Sequence, residues 1–306
     1  VVNEMNAEHR PSFTLLALAG LAAAGLAGCG MDFAPITLLE GLRVLAVPAA
    51  PLEAGPTDVV TLRPVVWAPR TATVTAYRWR FCPITAGARA GYACALPACE
   101  TTLTGAADGS VRANVGALAL ECVAKLQAAG QLSAVGGTAT STGVDIPTRV
   151  ETVFTLEVEA SDGGKVSAIA RVPFFPRGAP SPRNRGITIS GVRIGRDGTR
   201  TSSRTAMPVA RLSGATPLDV AVDVDPSLLD TYVDGAGRSR TEEVVAAFFS
   251  TAGRWDSERS TGTPATNKLK SEDVDAGSVD AEIWVVVRDD RGAQDVAGPY
   301  LVTVDR

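Results

Sequence analysis

Val150-Glu-Thr-Val-Phe-Thr-Leu-Glu-Val-Glu-Ala160, then Ser-Asp-Gly-Gly, then Lys165-Val-Ser-Ala-Ile-Ala-Arg-Val-Pro-Phe174 is the stretch that decides the fold. Strand side chains alternate between two faces. Val150, Thr152, Phe154, Leu156, Val158 and Ala160 therefore share one face, with Glu151, Glu157 and Glu159 on the other. Val166, Ala168, Ala170, Val172 and Phe174 repeat the pattern on a returning strand. Asp162-Gly163-Gly164 supplies the turn, because glycine enters positive φ without steric cost. The expectation is an antiparallel hairpin with one face in a core.

The same period recurs on both sides. Leu42, Val44 and Ala46 alternate, Val59 to Trp67 reads as a second strand, and Val74 to Phe81 as a third. In the third, Tyr77, Trp79 and Phe81 share a face and are expected in a core rather than as a stacking platform. Cys82 to Thr104 reads as a loop region. A helix is expected from Val115 to Ala129, where Ala119, Cys122, Val123 and Leu126 share a face. Gly136 to Gly143 reads as a loop. Pro176 to Gly186 is rich in proline and arginine and reads as a semi-rigid linker. Beyond it, Ile187 to Ile194, Leu218 to Val224, Val244 to Phe249, Ala281 to Val287 and Leu301 to Val304 read as strands. Asp197-Gly198 and Asp289-Asp290-Arg291-Gly292 read as turns, and Gly253 to Lys270 as a polar loop.

Upstream, an apolar run from Phe13 to Gly28 is shorter than the roughly 20 residues that span a bilayer. It follows His9 and Arg10, ends in small residues, and has the length of a signal-peptide core. A start at Met5 would leave the more typical leader. Leu26-Ala27-Gly28-Cys29 resembles the lipobox of bacterial lipoproteins. That resemblance implies cleavage before Cys29 and attachment of acyl chains, such as palmitate, at Cys29. Gly30 stands where an aspartate would imply inner-membrane retention, so the resemblance implies the outer membrane. Two or three acyl chains hold a soluble body on a membrane stably.

Removing Arg10, Glu4 and Glu8 with the leader reduces 29 basic and 33 acidic residues to 28 and 31, a formal charge of −3. No basic patch stands out, so no nucleic-acid partner is expected. The single histidine, His9, leaves with the leader, which excludes Ser-His-Asp and Cys-His catalysis and histidine-bound metals. Nucleophile-elbow, Ser-x-x-Lys, Walker and dinucleotide motifs do not occur. The expectation is no enzyme and no cofactor. Cys82, Cys94, Cys99 and Cys122 remain, an even number in an exported chain. Two disulfides are expected over a four-cysteine zinc site, with all three pairings open.

Phe154 to Val166 and Ile283 to Ala293 both resemble the final hairpin of bacterial immunoglobulin-like modules of the polycystic-kidney-disease and cadherin-like type. Trp79 is similar to the core tryptophan of such folds. The resemblance implies a mainly β chain of two immunoglobulin-like sandwiches; the disulfide-tied helical insertion expected in the first departs from that pattern. The expected division is signal peptide 1–28, tether 29–41, first sandwich 42–175, linker 176–186 and second sandwich 187–306. The functional expectation is a lipid-anchored binding or structural module with a protein or glycan ligand. Two alternatives are a carbohydrate-binding or carbohydrate-active protein using Trp67, Trp255 or Trp284, and an adhesin stiffened by calcium on Asp219, Asp223 and Asp225 or on Asp289 and Asp290.

Overall fold

The computed structural model describes residues 35–130, 147–180, 183–195, 199–200, 210–214, 216–233, 237–272 and 277–305. Strands are numbered in chain order, and α1 is the helix Val115–Ala128. The expected leader, Cys29, the Gly136 to Gly143 loop and the Asp197-Gly198 turn lie outside the described residues.

The first sandwich places a four-stranded sheet, in the order β6-β5-β8-β9, over a three-stranded one, β2-β3-β7. The four are β5 (Val74–Cys82), β6 (Thr101–Leu103), β8 (Val150–Ala160) and β9 (Lys165–Phe174). The three are β2 (Ala49–Ala50), β3 (Val59–Leu62) and β7 (Val111–Asn114). A separate ladder pairs β1 (Arg43–Ala46) with β4 (Val65–Trp67). The β8–β9 hairpin forms with the expected parity, Leu156 opposite Ala168, and Phe154, Leu156 and Val158 are fully buried. Trp79 and Phe81 are fully buried too, and Phe81 packs on Phe154 with ring centroids 5.1 Å apart. The Trp79 indole N–H donates to the Gly109 carbonyl at 2.8 Å, giving the buried ring its polar partner.

Three details differ from the sequence reading. The expected strand from Val59 to Trp67 is two strands in different ladders. Pro64 lies at the break and has no N–H to give to a ladder. The cysteine loop contains β6, which pairs with β5. Helix α1 buries Val115, Gly116, Cys122 and Leu126 but leaves Val123 47 % exposed, so its apolar stripe is narrower than the heptad pattern suggests. The Asn114 side chain caps this helix by accepting from the Ala117 N–H at 2.8 Å. Gly116 lets its first turn approach the Pro56 carbonyl, where an added Cβ would stand 2.0 Å from the oxygen.

Disulfides join Cys82 to Cys94 and Cys99 to Cys122. The second ties α1 to the cysteine loop, and Cys99, Cys122 and Leu126 form their own small apolar cluster.

The second sandwich faces β12-β21-β20-β16-β18 with β11-β10-β13-β19-β17. The first sheet comprises β12 (Ala210–Ser213), β16 (Val244–Ser250), β18 (Arg259–Thr261), β20 (Ser278–Asp289) and β21 (Gln294–Asp305). The second comprises β10 (Ile189–Ile194), β11 (Thr199–Arg200), β13 (Leu218–Val224), β17 (Arg254–Trp255) and β19 (Ala265–Lys270). A small hairpin pairs β14 (Thr231–Val233) with β15 (Ser239–Thr241). Gly253 to Lys270, expected as a loop, thus carries three strands. Strand β19 lies between β13 and β17, with Ala265, Asn267 and Leu269 facing inward. The Asn267 amide donates to the Ser257 carbonyl at 2.7 Å, so a polar residue occupies a core-facing position without an unmet hydrogen bond.

Before β1, the segment at Thr37–Leu39 lies along the end of β16. The Leu39 N–H donates to the Ser250 carbonyl at 2.8 Å, and the Ser250 N–H to the Thr37 carbonyl at 3.0 Å. The chain therefore touches the second sandwich before it builds the first.

Closing the 23-residue separation between Cys99 and Cys122 removes loop entropy from the unfolded chain. The double variant Cys99→Ser/Cys122→Ser is expected to lose about 3 kcal/mol in a denaturant titration. The Cys82→Ser/Cys94→Ser pair, closing only 12 residues, is expected to lose somewhat less.

Candidate functional site

Ile283 to Val287 is an unbroken apolar run, and β20 buries both of its faces. Ile283, Val285 and Val287 point into the sandwich core. Trp284 and Val286 point the other way and are buried against Leu39, Leu45, Ala46 and Trp67. An antiparallel strand that reads as continuous apolar sequence is covered on both sides. Here the second cover is β1 and β4 of the first sandwich. Polar contacts rim this seam. The Trp67 indole N–H donates to Glu282 Oε2 at 3.0 Å, Arg288 Nη2 to the Leu45 carbonyl at 3.1 Å, and the Val47 N–H to Gln294 Oε1 at 3.2 Å.

Beside the apolar seam sits a charge network centred on Arg291, at the β20–β21 turn. Its guanidinium reaches Glu53 Oε1 of the first sandwich at 2.6 Å and Glu242 Oε1 of the second at 3.2 Å. It also lies over the Tyr232 ring, 5.4 Å from the centroid. Glu53 Oε2 accepts the Asn184 N–H at 2.9 Å, and Glu242 Oε2 accepts the Asp230 N–H at 2.9 Å. Asp230 in turn pairs with Arg185 at 2.6 Å, and Arg183 pairs with Asp58 at 2.8 Å. The Pro/Arg stretch is thereby pinned to both sandwiches through its described residues.

Burial sets the protonation of this network. The Glu242 side chain has no solvent exposure. Loss of hydration raises its pKa, and the charge of Asp289 adds to the rise, against the Asp230 N–H and Arg291. Arg291 also loses hydration, yet Glu53 and Glu242 hold its pKa above the ordinary value. Asp230 is opposed by its own burial but held below the usual aspartate range by Arg185. Asp289 is raised by burial, although its Oδ1 accepts N–H bonds from Arg291 at 3.0 Å and Ala293 at 2.7 Å. Its Oδ2 is buried with no hydrogen-bond partner.

Next to the network a cleft of about 360 Å³ opens between the sandwiches. Residues of β1, β9 and the β20–β21 turn line it, including Val44, Ile169, Arg171, Arg288 and Gln294.

The residues singled out in the sequence go elsewhere. Trp67, Trp255 and Trp284 are 8 %, 5 % and 8 % exposed, so none offers a ring face to a sugar. Core and seam packing consume them. Asp223 pairs with Arg193 at 2.9 Å, and Asp225 accepts from the Ser227 N–H and hydroxyl at 2.9 and 2.7 Å. The Tyr232 hydroxyl donates to Asp290. Among the described residues, no group of three or more His, Cys, Asp or Glu side chains is arranged to hold a metal ion. No described helix is long and apolar enough to cross a membrane. Glu53, Asp230, Glu242 and Arg291 escaped the sequence reading, because Glu53 and Arg291 lie 238 residues apart. The local signal was an arginine inside an aspartate-glycine turn, which by itself indicates only a turn.

Comparison with protein-family models finds no match, and comparison with curated proteins finds none either. Among solved structures, the chain is similar to the fibronectin(III)-like modules of Clostridium thermocellum CbhA. Identity is 13 %, coverage is 85 % of this chain and 93 % of that chain, and the TM-score is 0.23. It is also similar to SGBP-B of the Bacteroides ovatus mixed-linkage glucan utilization locus, solved with a mixed-linkage heptasaccharide. There identity is 10 %, coverage 87 % and 70 %, and the TM-score 0.21. E. coli alpha-2-macroglobulin is matched at 14 % identity and TM-score 0.26. That match takes in 89 % of this chain but only 16 % of that one. These scores assign the chain to no family and give it no ligand.

Two outcomes follow from the network. Arg291→Met strands two buried carboxylates and is expected to destabilise the protein by about 3 kcal/mol in a denaturant titration. Adding Glu53→Gln and Glu242→Gln is expected to recover most of that loss. For Asp289 the folded pKa lies above the usual value of 3.8, so the folded state binds the proton more tightly. Its contribution is then fully present below 3.8 and is lost as pH rises through the raised folded value. Stability curves of wild type and Asp289→Asn, measured from pH 3 to pH 7, are expected to show a smaller fall in the variant, the remainder belonging to Glu242, whose folded pKa is also raised by burial.

Proposed function

We propose that this chain is a non-enzymatic bacterial lipoprotein, acylated at Cys29, whose two fused sandwiches form a binding or structural module at the outer membrane. The observation that carries this reading is the fate of the charged side chains at the seam. Glu53, Asp230 and Glu242 each face an arginine or a backbone N–H, so the convergence of titratable groups closes a joint. A reacting centre would instead aim such groups at an open cavity.

The lipobox residues Leu26 to Cys29 supply the anchor. Two or three acyl chains suffice for stable attachment. The sandwiches then present loops and sheet edges, the usual binding elements of such folds.

The test is metabolic labelling with palmitate, followed by membrane fractionation. Label and a shortened, processed chain are expected for the wild type, and neither for Cys29→Ser. A wild-type chain that takes up no palmitate and remains in membranes at unprocessed length overturns the lipid anchor in favour of a spanning leader.

A further inference from the structure

The cleft between the sandwiches combines a short unpaired stretch of strand edge, flanked by β1 and by Ala54, with unneutralised positive charge. Strand β9 ends the four-stranded sheet and pairs, among the described strands, with β8. Its outward backbone groups follow from parity. The Pro173 carbonyl accepts from the Ala54 N–H, and the Phe175 N–H donates to the Ala54 carbonyl. The outward-facing positions on that edge are therefore 175 and 173, and by the two-residue repeat Arg171 and Ile169. Ile169 and Arg171 both line the cleft, and the Ile169 side chain is 38 % exposed.

The charges are unequal in availability. Glu151 is held by Arg149 at 3.1 Å, Asp290 by the Tyr232 hydroxyl, and Asp289 by backbone N–H groups. Arg291 is committed to Glu53 and Glu242. Arg171 and Arg288 have no carboxylate partner among the described residues. Arg288 spends one N–H on the Leu45 carbonyl, which leaves the rest of its guanidinium fork open. It lines the cleft and is exposed to water. Burial, followed by the charge of Arg259, lowers its pKa. The charge of an incoming anion would offset both.

We propose that this cleft receives an extended peptide segment of a partner protein, which adds to the β9 edge at Ile169 and Arg171 and places an acidic side chain on Arg171 and Arg288. Edge addition supplies main-chain hydrogen bonds, and the guanidinium forks supply selectivity for a carboxylate. A peptide fits the site better than a neutral glycan, because the cleft offers backbone donors and acceptors and no exposed aromatic ring. The inference deepens the binding-module reading and names its partner class. It does not depend on the lipid, so failure of palmitate labelling and failure of peptide binding are separate results.

The test uses the full chain in detergent and the peptide Val-Glu-Val-Glu-Val-NH2 carrying fluorescein on its amino terminus, read by anisotropy. The glutamine analogue and a peptide N-methylated on alternate amides serve as comparisons. The glutamate peptide is expected to bind at least tenfold more tightly than the glutamine one, and N-methylation to abolish binding. Arg171→Gln, an exposed change away from the seam, is expected to weaken the glutamate peptide at least fivefold. Arg288→Gln is expected to do the same, with a melting curve to check the seam. Equal binding of the two peptides, an unaffected Arg171→Gln protein, or retention of the N-methylated peptide would each overturn the proposal. Binding of tetragalacturonate without binding of the peptide would overturn it in favour of an acidic glycan.

Discussion

The guanidinium of Arg291 is the point on which the two sandwiches agree. It is held by Glu53 on one side and Glu242 on the other, with both carboxylates nearly or wholly out of water. Such a cluster gains little over an apolar replacement, because removing charges from water costs about what their attraction returns. Its value is directional. A greasy patch tolerates sliding, whereas a planar fork with two fixed carboxylates accepts one orientation. The apolar seam of Trp67, Trp284 and Val286 supplies most of the attraction between the sandwiches, and Arg291 selects the register in which that attraction acts.

The same constraint organises the neighbouring turn. Asp289 spends one carboxylate oxygen on the N–H groups of Arg291 and Ala293, which fixes the path of the turn that carries Arg291. The other oxygen is buried without a partner. An unsatisfied oxygen is costly, and here the cost falls on the residue that aims the joint. Stability and geometry are thus set against each other within three residues of chain.

Legibility in the sequence followed periodicity. The β8–β9 hairpin was readable because its faces separate cleanly into apolar and glutamate-bearing residues. Strand β19 was not, because Asn267 occupies an inward position and only Ala265 and Leu269 mark the core face. The break between β3 and β4 was marked by Pro64 but hidden by the apolar residues around it. Helix α1 appeared at the expected place with Cys122 and Leu126 inward as read, Cys122 bonded to Cys99, and only Val123 of the expected face lies outside. The seam had a signal, since Trp284 and Val286 fill the outward positions of β20, but that signal does not name its partner. The charge network had almost none. Its members are ordinary surface residue types, brought together by contacts 238 residues apart in the case of Glu53 and Arg291.

The strap at Thr37–Leu39 gives the fold a mechanical polarity. Tension applied at Pro35 is met first by the two hydrogen bonds to Ser250 and by the buried side chain of Leu39, before it can reach the ladder of β1 and β4. The pull is borne by the last sandwich in the sequence rather than the first. Stretching the chain from its N-terminal side therefore loads the seam, and the first sandwich is shielded until the strap peels away.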